Sequence, residues 1–196
     1  NENPSYNPST YELDSVFRNC YLTSELLMDG PKLLNTDYVI LSDGTEKSAT
    51  DLQVGDILKT IDIPNPNNID TTDPYSNYGI NIETFLSGAT YTENPVISKI
   101  KKDGIINLVT IMFTDGTNWK DTGNSTYLSY INNEIQFKRI DELENGDLIL
   151  LVDSSNEQLE IIQKTVESIS TQSEFFEGWE IGVEREHLFL TKTEGS

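Results

Sequence analysis

The chain has 196 residues, with 13 Lys and Arg against 33 Asp and Glu and a formal net charge of −20. That length suits one domain with a substantial core, and that charge opposes direct nucleic-acid binding, which needs clustered cations against phosphates. A single cysteine excludes an internal disulfide, and no apolar run approaches the roughly 18 residues needed to span a bilayer.

Residues 1–8 are polar and contain two prolines, without the basic and apolar regions of a secretory signal. They read as extended unless a partner holds them. Ser9-Thr-Tyr-Glu12 has the form of a helix capping box. Apolar residues follow at Leu13, Val16, Phe17, Cys20, Tyr21, Leu27 and Met28, the spacing of one helical face, and Asp29-Gly30-Pro31 ends the pattern. The sequence therefore predicts an N-terminal extension, residues 1–30, with an amphipathic helix over about 10–28. Leu13 and Phe17 lie on its docking face, turned to the domain or to another chain. On that helix Cys20 reads as a small buried hydrophobe.

From residue 31 to 196 the periodicity is that of strands. Tyr38-Val-Ile-Leu-Ser-Asp-Gly-Thr-Glu-Lys47 reads as a hairpin on an Asp-Gly turn, and Asp51-Leu-Gln-Val-Gly-Asp-Ile-Leu58 as a Gly-Asp turn entering a strand. The same sentence returns later. Thr126-Tyr-Leu-Ser-Tyr-Ile-Asn-Asn-Glu-Ile-Gln-Phe-Lys138 is again a hairpin, and Glu142-Leu-Glu-Asn-Gly-Asp-Leu-Ile149 again a Gly-Asp turn. Gly55 and Gly146 suit a backbone of positive φ, and Asp56 and Asp147 suit side chains that bond nearby backbone N–H groups. After the first copy come strands Pro95–Lys102 and Asn107–Phe113, joined at Asp103-Gly104. After the second come 159–169, Trp179–Val183 and 186–190. Lys99, Lys101 and Lys102 form the one basic cluster, expected on a solvated hairpin.

Between the halves lies an insertion, about 64–94, rich in Asn, Asp and Pro. It lacks the glycine and closing glutamate of an EF-hand loop, so calcium is not expected there. Tyr75 and Tyr78 mark it as a surface cover or a partner-facing loop. One histidine and one cysteine cannot make a zinc site of the usual kind, and no phosphate-binding glycine loop is present. No metal and no cofactor is expected.

Hairpin, Gly-Asp turn, strand and strand, written twice, resemble the Hint fold shared by hedgehog autoprocessing domains and inteins. The resemblance covers about residues 31–196. Val39–Gly44 through Gly55-Asp56 resembles the family's first block, and Thr122-Gly-Asn-Ser125 through Gly146-Asp147 its second. Trp179-Glu-Ile-Gly-Val-Glu-Arg-Glu-His-Leu-Phe-Leu190 resembles the strand pair near its C-terminal end. The resemblance implies an all-β, pseudo-two-fold horseshoe, here with one N-terminal helix.

It also implies chemistry. Family members open on a thiol or hydroxyl that attacks the preceding carbonyl, and a histidine in the pattern Thr-x-x-His activates the scissile peptide. Around Pro31 to Leu33, where the nucleophile belongs, there is no Cys, Ser or Thr. Ser125 stands where the family has its histidine, and a serine hydroxyl cannot replace an imidazole titrating near neutral pH. His187, the only histidine, matches a C-terminal position where inteins often carry His.

Two readings follow. In the first, the chain is a catalytically degenerate Hint module serving as a structural or assembly component, with protein partners, no membrane and no nucleic acid. By analogy its place would be a phage virion or tail. In the alternative it is a self-splicing or self-cleaving domain, with Cys20 as nucleophile assisted by His187 and Ser125.

Overall fold

The computed structural model describes residues 19–24, 33–70, 77–123, 125–154, 156–184 and 188–193. Strand β1 (Asn19–Ser24) precedes β2 (Leu33–Leu34), β3 (Asp37–Ile40), β4 (Glu46–Ser48) and β5 (Ile57–Asp62). Helix α1 (Ile82–Gly88) leads to β6 (Thr90–Phe113), β7 (Asn118–Thr122), β8 (Thr126–Ile131) and β9 (Glu134–Arg139). A 3-10 turn, Ile140–Glu142, enters β10 (Leu148–Asp153), followed by β11 (Ile161–Val183) and β12 (Leu188–Thr193). The strands join in one curled sheet, ordered β4-β3-β12-β1-β8-β10-β11-β6-β5. Among the described residues no helix is long and apolar enough to cross a membrane.

The two sequence repeats fold alike, bond for bond. Gly55 and Gly146 have φ of +97° and +96°. Asp56 accepts from Gln53 N at 2.8 Å and from Lys47 Nζ at 2.8 Å. Asp147 accepts from Glu144 N at 2.9 Å and from Lys138 Nζ at 3.1 Å. Each turn then locks to a long strand by a reciprocal backbone pair, Gly55 and Asp56 with Val96, Gly146 and Asp147 with Val166. A short polar approach, a glycine and an aspartate thus set one corner of each half.

The structure corrects several expectations. Residues 19–24, within the expected helix of about 10–28, form β1. That strand lies between β12 and β8 and also pairs with β10. Asn-Cys-Tyr-Leu-Thr-Ser is compatible with either period, and the open backbone of β12 and β10 on either side decides it. The boundary at 30/31 therefore does not separate an extension from the β domain. Leu13, Phe17 and the rest of the expected helix lie outside the described residues.

Nor does the chain turn at Asp103-Gly104. β6 runs on for 24 residues and pairs with β11 from Val166↔Phe113 to Val183↔Val96, so each long strand satisfies the other's backbone. Lys99 is not simply solvated: its Nζ donates to the carbonyls of Thr50 and Leu52 and stacks on Trp179 at 3.9 Å.

The insertion is shorter than expected, because Thr90–Asn94 already pair with β5. What remains packs inward. Asn81 caps α1 by accepting from Thr84 N at 2.9 Å, which aims Phe85 into the core. Phe85, Tyr78, Ile63 and Ile80 complete a cluster with Ile40, Leu128, Ile135, Phe137, Leu150 and Leu190. Asn65 and Asn67 bond loop backbone at Ile69 and Tyr78. Tyr78, expected to face a partner, is buried edge-on to Phe137, with ring centroids 6.4 Å apart. Tyr75 lies outside the described residues.

Candidate functional site

Thr122 and Ser125 lie at the corner between β7 and β8. Period-2 alternation along Asn118-Trp-Lys-Asp-Thr122 turns Trp119 and Asp121 inward, and both are buried. The chain reverses after Thr122, with Ser125 N donating to Thr122 O at 3.1 Å. Neighbours clamp this reversal: Gly123 N donates to Asn107 O at 2.8 Å, and Ile140 N to Ser125 O at 2.8 Å. Ser125 is wholly buried, its Oγ 3.0 Å from Thr122 Oγ1.

A polar chain fills the corner. Trp119 Nε1 donates to Tyr127 Oη at 2.8 Å, and Tyr127 donates in turn to Asp121 Oδ2. Thr122 N donates to Asp121 Oδ1 at 2.7 Å, and the Ser125 hydroxyl also reaches this carboxyl. Around these groups pack Val109, Ile111, Phe113, Ile149, Leu151 and Val166. Burial raises the Asp121 carboxyl to about 7, against the opposing pull of Tyr127, Thr122, Ser125 and Trp119. Burial, with the adjacent Asp121, raises the Tyr127 phenol well above its ordinary value. Asp37 of β3 adds a second buried carboxylate that acts on Tyr127 and accepts from Leu34 N at 2.9 Å.

Of the three sequence-derived candidates, the described residues include Cys20 and Ser125. Cys20 sits on β1 opposite Val152. Farther along the same strand, Ser24 pairs with Thr126, the neighbour of Ser125. Four residues of strand separate Cys20 from that row, about 13 Å. His187 lies outside the described residues. The sequence reading missed Asp121, Tyr127 and Trp119. Their signal was present: a carboxylate in phase with a tryptophan, in a strand with an inward face. Among the described residues no three metal-ligating side chains gather.

Crystal structures of inteins share this fold. An intein from a hyperthermophile matches with a TM-score of 0.54 at 14% identity, covering 84% of this chain and 100% of its own. A DnaB intein from Synechocystis sp. PCC 6803 matches at 0.53 and 17%, covering 84% and 99%. The fold is the Hint fold of inteins. The TvoVMA intein agrees, at 0.52 and 15%, over 83% of this chain and 97% of its own. At such identities the likeness carries the fold and not the chemistry. No family model matches the sequence, and no curated protein matches it either. Thr122 and Ser125, three positions apart, bring two hydroxyls to the β7–β8 corner.

Proposed function

We propose that the chain is a catalytically degenerate Hint module, kept for its shape as a structural or assembly component with protein partners. One observation carries this reading. Ser125, in the position of the family's histidine, is buried, and its hydroxyl is bonded within its own turn to Thr122 at 3.0 Å. It presents no titratable group to a scissile peptide. A virion or tail component would suit the acidic composition, rich in Asn, Asp and Thr.

The autoprocessing reading has one observation in its favour. Cys20 is on the central strand β1 instead of the expected helix, so a helical burial no longer argues against it. The intact mass of the protein expressed with its natural flanking sequence, with and without added thiol, separates the two. The degenerate module gives one uncut mass in both conditions. Discrete cleavage or a spliced product, abolished by Cys20→Ala, overturns the proposal.

A further inference from the structure

We propose that the module is a clip for the chain that precedes it: β12 on one side, with β8 and β10 on the other, forms a slot that grips an extended segment by its backbone, and Asn19–Ser24 is the segment in the slot. Residues 21–24 pair with β12. On the opposite edge residues 19–21 pair with β10 and residues 23–24 with β8. Tyr21 therefore lies between Thr191 and Leu151, and Thr23 between Phe189 and Tyr127. Whichever way the backbone N–H of either residue points, it meets a strand.

The hold does not come from the chain connection. β2, the next strand along the sequence, pairs with β11 and not with β1. No hairpin turn sets the register of β1, so the edges of β8, β10 and β12 set it. Among the described residues β12 meets neither β8 nor β10 directly, and β1 is what joins their edges. The walls of the slot belong to the core: Phe189, Leu190, Tyr127 and Leu151 are all buried. An empty slot would leave backbone N–H and C=O groups of these walls without the partners that β1 supplies, which is costly at buried positions. An occupant is favoured whether or not its covalent link to residue 33 is intact.

A cut between residues 24 and 33 therefore does not free the upstream chain. The module holds whatever precedes Asn19, as one chain before the cut and as a two-chain complex after it. Because the grip is on backbone, the slot asks its occupant to be extended and to lack proline. The clip does not depend on the assembly reading or on autoprocessing, since it acts equally on a chain cut by a foreign protease.

The full chain with a site for a sequence-specific protease inserted after Asp29 tests it. After cutting, native mass spectrometry should give one species holding both fragments, which separate only in denaturant. Two separate species overturn the clip. Urea just below the unfolding transition then lets a labelled synthetic peptide of residues 9–26 compete for the slot. The wild-type peptide and its Thr23→Ala form should replace the upstream fragment. The Thr23→Pro form should compete at least about tenfold less well, because it withholds a backbone donor and leaves a buried acceptor unmet. Equal competition by the proline peptide overturns the clip, since the hold would then come from side chains. Failure of all three peptides overturns it as well.

Discussion

Replacing Phe85 with alanine tests whether the insertion is a wall of the domain or a detachable cover. The Phe85 ring is 0% exposed and enters a cluster supplied by both halves, including Ile40, Ile61, Leu128, Phe137 and Leu150. Truncating a buried phenylalanine costs about 3–5 kcal/mol, from lost transfer energy and the cavity left behind. For a domain of this size each kcal/mol moves Tm by about 2–4 °C, so the loss should be roughly 6–20 °C. The control is the next residue, Leu86, which is 52% exposed on the outer side of the same helix. Leu86→Ala should stay within about 0.5 kcal/mol. Urea unfolding followed by tryptophan fluorescence suits the test, because Trp119 and Trp179 both pack outside this cluster and report on the rest of the domain. A single transition moved to lower urea by Phe85→Ala supports the reasoning. A loss below 1 kcal/mol, or an unchanged tryptophan transition, would refute it and return the insertion to the role of a cover.

Asp121 should also mark the pH dependence of global stability. Its folded value of about 7 exceeds 3.8, so the native state binds the extra proton, and stability falls as pH rises from about 4 to 7. The full effect is on the order of 4 kcal/mol. Between pH 5 and 8 the stability of wild type relative to Asp121→Asn should drop by roughly 2–3 kcal/mol, read from urea midpoints; an unchanging difference contradicts the assignment. The matched turns predict matched losses. Asp56→Ala and Asp147→Ala should each cost about 1–2 kcal/mol, and the double variant should cost their sum, since the two sites share no partner. Gly55→Ala and Gly146→Ala should each cost about 1–2 kcal/mol from positive φ alone. Open space around both Cβ positions leaves no clash to add, and thermal melts showing a much larger loss at either site would mean a contact has been overlooked.

Much of this fold was legible because its punctuation is chemical. Gly-Asp before an apolar run demands a positive φ and offers a carboxylate to the turn, and both copies could be read from residue type alone. The hairpins at Asp43-Gly44 and Asn132-Asn133 were legible for the same reason, and each has the positive φ it needs. What failed was long-range pairing. Asp103-Gly104 looks like a turn locally, but seventeen rows of β6–β11 pairing hold it extended. Residues 19–24 fit a helical stripe, yet the neighbouring edges of β10 and β12 make them a strand. Tyr78, Ile80 and Phe85 sat in a polar, turn-rich stretch whose composition conceals that these three point inward. At the corner, Ser125 was found because a motif named its position. Asp121 was missed although it stands in phase with Trp119, because residue type alone does not show that Tyr127 closes over that inward face.

Ser125 and Asp121 bear on the same question from opposite sides. An imidazole at position 125 would bring a group that titrates near neutral pH, together with a donor for the Asp121 carboxyl and a positive charge to offset it. With serine there, the carboxyl loses any such counter-charge while keeping its hydroxyl and amide partners, and burial then sets its proton affinity. Burial between Trp119, Thr122 and Tyr127 thus raises the Asp121 carboxyl against the pull of its donors. Such a group is a poor choice for stability alone. Asp121→Leu with Tyr127→Phe removes the buried charge but leaves the Trp119 indole N–H and the Thr122 N–H without their acceptors, at about 1–3 kcal/mol each. If this double variant nevertheless melts higher than wild type at pH 8, the buried charge costs more than the two orphaned donors. If it melts lower at every pH, the bonds among Trp119, Asp121, Thr122 and Tyr127 hold the corner together more strongly than burial of the carboxyl opposes it.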